Sequence, residues 1–221
     1  MPFLIDTKTA AGQQAEQFVS ARNRARQFDF LHTSFVIANA GFGLQIDHEF
    51  ICTLNAYATR YISQQPGKYR LHYNVEVGQH RPSDWCLVYE EMEAFLEVLH
   101  RNWSGWSPTQ AASYTLWGVN HIHPFCEGNG RTARALSYFV LCRKLSQWLP
   151  GSTTVLELIR TQHRDHHCDI LQRMHDARNR PDMITDLSEM DELIARLLAE
   201  QVRLAQDEIA RRAANTPSNS G

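Results

Sequence analysis

Twelve consecutive residues constrain this chain more than any others: His123-Pro124-Phe125-Cys126-Glu127-Gly128-Asn129-Gly130-Arg131-Thr132-Ala133-Arg134. An apolar helical pattern ends just before them and another begins inside them, so they form a loop that runs into a helix. Each residue type suits phosphate chemistry. Gly128 and Gly130 let backbone N–H groups approach an anion with no Cβ in the way. A helix starting near Gly130 would present unpaired N–H groups and the positive end of its dipole. Arg131 and Arg134 share one face of the first turn and can grip one polyphosphate together. Glu127 is a hard oxygen ligand suited to Mg²⁺ held jointly with phosphates. His123 is the side chain best placed to take a proton near neutral pH. A lone Gly-x-Gly is usually a turn and a lone His beside Pro is usually structural; the joint spacing is what argues for chemistry.

The size and composition fit one well-cored domain. The chain has 221 residues, 43% hydrophobic and 21% charged, with a net charge of −2. That charge argues against general nucleic-acid binding, which wants a basic face, and leaves room for a locally basic nucleotide site. Cys52, Cys86, Cys126, Cys142 and Cys168 are odd in number and scattered, the pattern of reduced thiols. No leader-like or membrane-length apolar run is present, which predicts a cytoplasmic protein, or one exported without a cleaved signal, and no membrane partner.

Periodicity predicts an all-α helical bundle carrying one β-hairpin. Residues 1 to about 14 read as loosely ordered. Helical patterns follow over about 15–39, from Asp47 as N-cap, and through Met92, Phe95, Leu96, Leu99 and Trp103. Ser107-Pro108 opens a further helix that must end by His123, because Pro124 disfavours helix in the residue before it. At that helix C-terminus the dipole would favour a charged His123. Residues 133–149 are apolar nearly all round and predict a central helix ended by Pro150-Gly151. Thr154 through Glu157 is a capping box, Asn179-Arg180-Pro181 a break, and 188 to about 213 a last amphipathic helix, with Ile209 on its apolar stripe. Between Tyr69 and Val77 apolar residues alternate with polar ones, which predicts a strand, with 85–88 as a short return. His163, His166, His167 and Cys168 could ligate a metal but read as a polar helix surface. His121 and His123 ahead of Glu127 would permit a metallohydrolase, against which the Gly-Asn-Gly-Arg run speaks.

The 123–134 stretch resembles the signature of the Fic family, H-x-F-x-[DE]-G-N-G-R-x-x-R, at every specified position. The resemblance implies a mostly helical fold and transfer of AMP from ATP to a Ser, Thr or Tyr hydroxyl of a target protein, with pyrophosphate leaving. By that resemblance His123 is the base, Glu127 holds Mg²⁺, and Gly128, Asn129 and Gly130 cradle the inner phosphates. Arg131 and Arg134 hold the outer ones, and Phe125 anchors the loop. The family also has a flap hairpin that docks the target segment, placed here at 69–88 with Val75, Glu76 and Val77 as docking residues. The protein itself is among the candidate targets, and a homodimer is compatible with the family. Many members carry an inhibitory segment, [ST]-x-x-x-E-[GN], whose glutamate pairs with the second arginine of the signature. Ser34-Phe35-Val36-Ile37-Ala38-Asn39 matches except at Ala38, which implies a released Arg134. The domain reading is an N-terminal segment at 1–45, a catalytic domain at 46–213 and a disordered tail at 214–221. The rival readings are transfer of another nucleotide or phosphoryl-containing group, and a catalytically silent module that binds nucleotide or peptide.

Overall fold

The computed structural model describes residue 5, residues 9–177 and residues 186–214. The expected break at 179–181 and the tail from 215 lie outside them. Helix α1 spans Ala10–Asn39, α2 His48–Thr59, α3 Val88–Arg101 and α4 Pro108–Ile122. Helix α5 spans Asn129–Leu145, α6 Val155–Thr161, α7 Arg164–Ala177 and α8 Ser188–Ala214. Local chemistry explains most of the starts. Asp47 accepts from the Phe50 N–H, Thr154 from the Glu157 N–H, and Ser107 forms a reciprocal capping box with Gln110 ahead of Pro108. Each satisfies donors that the first helical turn leaves unpaired.

Helix α5 is the axis of the bundle. Ala133, Leu136, Phe139 and Val140 are each no more than 1% exposed, because α1, α2, α4 and α6 surround it. Helix α4 packs on it most extensively, and Gly118 of α4 permits the approach of α3: a Cβ there would lie 2.6 Å from the Phe95 ring. Helix α1 runs alongside α5 in the same direction. Phe28 meets Tyr138 and Trp148, and further along Asn39 meets Arg143 and Ser146. Buried Gln27 and Asn23 of α1 donate to the carbonyls of Leu54 and Arg60 at the end of α2. Leu31 and Phe35 belong to the common core, so α1 is built into the bundle.

Four expectations are corrected. First, the chain is helical from Ala10 rather than loose to about residue 14, because Thr9 caps the Gly12 N–H. Second, α5 stops at Leu145, where Ser146 adopts a left-handed conformation, four residues before Leu149. Third, Ile209 of α8 is 64% exposed and leaves the apolar stripe that continues to Ala205.

Fourth, the strand pair over 69–88 is absent among the described residues. The segment is extended but makes only two isolated bridges, Tyr69 with Phe125 and Val77 with His80. Three local features prevent a ladder. His72 has a φ of +70°, which reverses the alternation. The Asn74 side chain accepts from the Trp85 N–H and donates to Asp84, replacing strand-to-strand bonds. Residues 85–87 form a 3₁₀ turn that feeds α3. Alternation alone lacked a partner strand to make a sheet of it.

Candidate active site

The loop between α4 and α5 is held from both ends and from the side. Ile122 ends α4, and His123 takes the left-handed region at φ +52°, ψ +56°. This turn redirects the chain into Pro124. Phe125 then drops into the core at 1% exposure and packs on Tyr69. Asn129 closes the loop: its Oδ1 accepts from the Phe125 N–H at 2.9 Å and its Nδ2 donates to the Phe125 carbonyl at 2.8 Å. The Asn129 side chain is thus committed to the loop, which leaves its backbone N–H at the start of α5 as the group it can offer an anion.

Gly128 is the N-cap of α5 and sits at φ +79°. A Cβ there would meet Thr59 Cγ2 at 2.4 Å and Asn55 Nδ2 at 3.2 Å. Asn55, on α2, organises this corner. Its Nδ2 donates to the Glu127 carbonyl and Thr132 Oγ1, and its Oδ1 accepts from the Gly67 N–H. The Glu127 side chain is left exposed at the loop surface, where it interacts electrostatically with Arg131 without forming a salt bridge among the described residues.

Arg70 fastens the other side. It is fully buried and makes no salt bridge among the described residues, Glu91 and Asp84 acting on it only from a distance. Its Nε donates to the His123 carbonyl at 2.9 Å, Nη1 to the Tyr73 carbonyl at 3.2 Å, and Nη2 to the carbonyls of Ser83 and Ile122. Its backbone N–H donates to the Pro124 carbonyl. One guanidinium therefore joins the extended 69–84 segment to the turn that carries His123. Sequence reading passed over Arg70 as an ordinary polar residue of an alternating strand, since its partners lie far along the chain.

His123 faces a cleft of about 770 Å³ that it shares with Gly130, Arg131 and Arg134. Burial pushes its imidazole down to about pH 4, and the nearby charges of Arg70 and His80 act in the same direction. Desolvation works against the modest preference of the helix dipole, and a value near 4 leaves His123 neutral at pH 7. Its Nδ1 is buried without a hydrogen-bond partner among the described residues.

Five arginines and one glutamate, Glu16, line the cleft. Arg24 of α1, Arg160 of α6 and Arg164 of α7 join the two signature arginines. Arg131 donates to the Ala58 carbonyl at 2.8 Å. Arg134 has no carboxylate within salt-bridge reach among the described residues. Burial, reinforced by Arg131, Arg160 and Arg164, lowers it to about 10, so it keeps its charge at neutral pH. His167 also lines the cleft. It is 4% exposed, and its Nε2 lacks a partner among the described residues. It is therefore no part of a polar helix surface, although His166 and Cys168 beside it are exposed.

Two other expected positions are relocated. Val77 lines the cleft, but its N–H and carbonyl are both bonded to His80, so its backbone cannot accept an added strand. Val75 and Glu76 remain on the open side, Glu76 in an exposed pair with Arg81. Ser34, Ala38 and Asn39 are not at the site. Asn39 bonds to Arg143 and Ser146 at the far end of α5. Glu16, Ser20 and Arg24 are the α1 residues lining the cleft, and Ala38 lies about 21 Å beyond Arg24 along the helix at 1.5 Å per residue. The 34–39 segment therefore lies along α5 away from the cleft-lining turns of α1.

Residues 45–141 match the sequence model described as the Fic/DOC family. That stretch is similar to a Fic/DOC domain. "Protein adenylyltransferase Fic" of Drosophila persimilis is 38% identical over 80 residues, covering 35% of this chain and 15% of that protein. The protein of the same name from Culex quinquefasciatus is 33% identical over 95 residues, or 39% of this chain and 17% of that one. The chain thus spans about one sixth of the length of these curated relatives. Among solved structures, Fic-1 of C. elegans aligns with a TM-score of 0.64 at 16% identity, over 87% of this chain and 52% of that one. A Fic-domain signaling protein of Bacteroides thetaiotaomicron gives 0.62 at 18%, over 83% and 70%. BepC of Bartonella tribocorum, solved with AMPPNP, gives 0.51 at 12%, over 78% and 86%. These likenesses establish the fold of the Fic/DOC domain.

Proposed function

We propose that this chain is a protein adenylyltransferase that moves AMP from ATP to a hydroxyl of a target protein. The observation that carries the reading is the cleft itself: a neutral, half-buried His123 beside the start of α5, facing arginines from four helices. A cleft of about 770 Å³ is within the range that holds nucleotide-sized ligands. Arg134, charged and without a carboxylate among the described residues, suits a polyphosphate. The names of the Drosophila and Culex relatives and the AMPPNP in BepC point to the same substrate.

In this reading the polyphosphate lies along Arg131 and Arg134, with the N–H groups at the start of α5 turned toward it. A Ser, Thr or Tyr hydroxyl of the target attacks the α-phosphorus. The new O–P bond forms as the bond to the β-phosphate oxygen breaks, and pyrophosphate departs. His123 takes the hydroxyl proton, which only its neutral form can do, an effect typically worth about 10²–10⁴-fold. The exposed Glu127 carboxylate would hold Mg²⁺, which supplies charge neutralisation on the phosphates. The open side of the 69–84 segment, at Val75 and Glu76, would receive the target as an extended peptide.

Incubation with α-labelled ATP and a cell lysate, followed by mass spectrometry, tests the reading. The parent chain is expected to transfer AMP. His123→Ala is expected to abolish transfer while ATP binding persists; normal transfer by this variant would refute the base. Parallel assays with GTP, CTP and UTP separate AMP transfer from transfer of another nucleotide.

A further inference from the structure

The last turn of α4, the last turn of α7 and the tight turn at 77–80 bring three histidines together away from the signature loop. One ligand nitrogen from each of His80, His121 and His175 lies within 4.8 Å of those of the other two. We propose that these three side chains form a binding site for a divalent transition metal of the zinc class, which staples the 77–80 turn to the ends of α4 and α7.

Three observations carry this assignment. The Nδ1 atoms of His121 and His175 face each other at 3.0 Å. Tetrahedral zinc with Zn–N of about 2.0–2.1 Å places neighbouring ligand nitrogens about 3.3 Å apart, so this pair already has nearly the spacing of two ligands. His80 is held by its Nε2, 2.8 Å from the carbonyl of His121. A carbonyl can only accept, so Nε2 carries the proton and Nδ1 the lone pair, the arrangement that fixes metal-binding histidines from behind. The ligands also come from three separate elements, which a chance pair along one helix face would not show.

The rings of His80 and His175 are stacked, with centroids 3.8 Å apart and planes within 16°. Nearly parallel rings cannot both aim a nitrogen at one centre. Binding therefore requires one of them to turn about χ2, a broad torsion. An all-imidazole set suits Zn²⁺, Ni²⁺ or Cu²⁺ and disfavours Mg²⁺ and Ca²⁺, which want oxygen. The consequence is local: the turn so fixed carries Val77, which lines the cleft, and His121 lies two residues before His123.

The test uses the full chain, freed of metal, and needs no assay of AMP transfer. Zn²⁺ is titrated by calorimetry, Co²⁺ by visible absorption, and Mg²⁺ serves as the control. Expected are one equivalent of Zn²⁺, the intense visible bands of four-coordinate Co²⁺, and a melting temperature that climbs with free Zn²⁺. The double variant His80→Gln/His175→Gln is expected to weaken Zn²⁺ about tenfold or more and to lose the Co²⁺ bands, with the metal-free melting temperature little changed. His163→Gln/His166→Gln, just before and within the first turn of α7, is expected to bind as the parent does. Parent-like binding by the first double variant, or the absence of a one-equivalent event in the parent, would overturn the proposal.

Discussion

At the residue scale, Gly128 is the least replaceable position of the loop. It combines a left-handed backbone with a wall of Thr59 and Asn55 where a Cβ would go. Gly128→Ala is expected to cost about 2–4 kcal/mol, part from the backbone conformation and part from the clash with Thr59 Cγ2. The two parts separate in a cycle. Thr59→Ser removes that methyl while keeping the hydroxyl bonded to the Asn55 carbonyl. The double variant is expected to recover about 1 kcal/mol relative to additivity in urea unfolding. Strict additivity would show that the clash contributes nothing. Arg70 acts at the same scale with a different logic. Its four carbonyl partners orient His123 without touching a substrate, which makes it a positioning residue.

At the element scale, α1 changes meaning once its register is known. The sequence showed a long helix and, near its end, a pattern resembling an inhibitory segment. A linear pattern carries no information about which turn of a 30-residue helix reaches the cleft. The packing of Phe28 and Asn39 along α5 settles it in favour of the turn with Arg24. Arg24→Glu is therefore expected to lower ATP affinity about tenfold or more in a binding titration, by placing a carboxylate among the phosphate-facing arginines. Ala38→Glu is expected to leave ATP affinity and AMP transfer unchanged. The reverse ranking would contradict the register of α1. The helix starts at Asp47, Ser107 and Thr154 were legible because a cap is a local event. So was the 123–134 loop, whose parts are contiguous. The 69–88 segment was misread because a ladder needs a second strand, and the Asn74 and Arg70 side chains take its hydrogen bonds instead. Arg70, Arg160 and the three clustered histidines were illegible as partners because only the fold brings them together.

At the scale of the whole molecule, the buried His167 ties stability to pH. Burial holds it near pH 4, with the charges of Arg134 and His166 adding to the effect. His123, Arg164, Glu16 and Cys168 share its cleft. An unfolded histidine titrates near pH 6.5. Between those values the unfolded chain binds the extra proton, so the contribution is fully present above about pH 6.5 and is lost as pH falls toward 4. Urea unfolding from about pH 6.5 to 5.5 in chelator-treated buffer is expected to show His167→Asn losing less stability on acidification than the parent. The difference should approach one proton, or about 1.4 kcal/mol per pH unit. Parallel curves would place His167 in solvent.

The chain as a whole is slightly acidic, yet arginines from α1, α5, α6 and α7 crowd one cleft. Glu157 pairs with Arg160 and Glu16 also lines the cleft, but Arg131, Arg160 and Arg164 all act against the charge of Arg134. A polyanion bound there would offset that repulsion as well as being recognised by the arginines. Inorganic phosphate, sulfate and pyrophosphate are all of a charge and size to compete for such guanidinium groups. The choice of buffer anion then becomes a hidden variable in any affinity measured at this cleft.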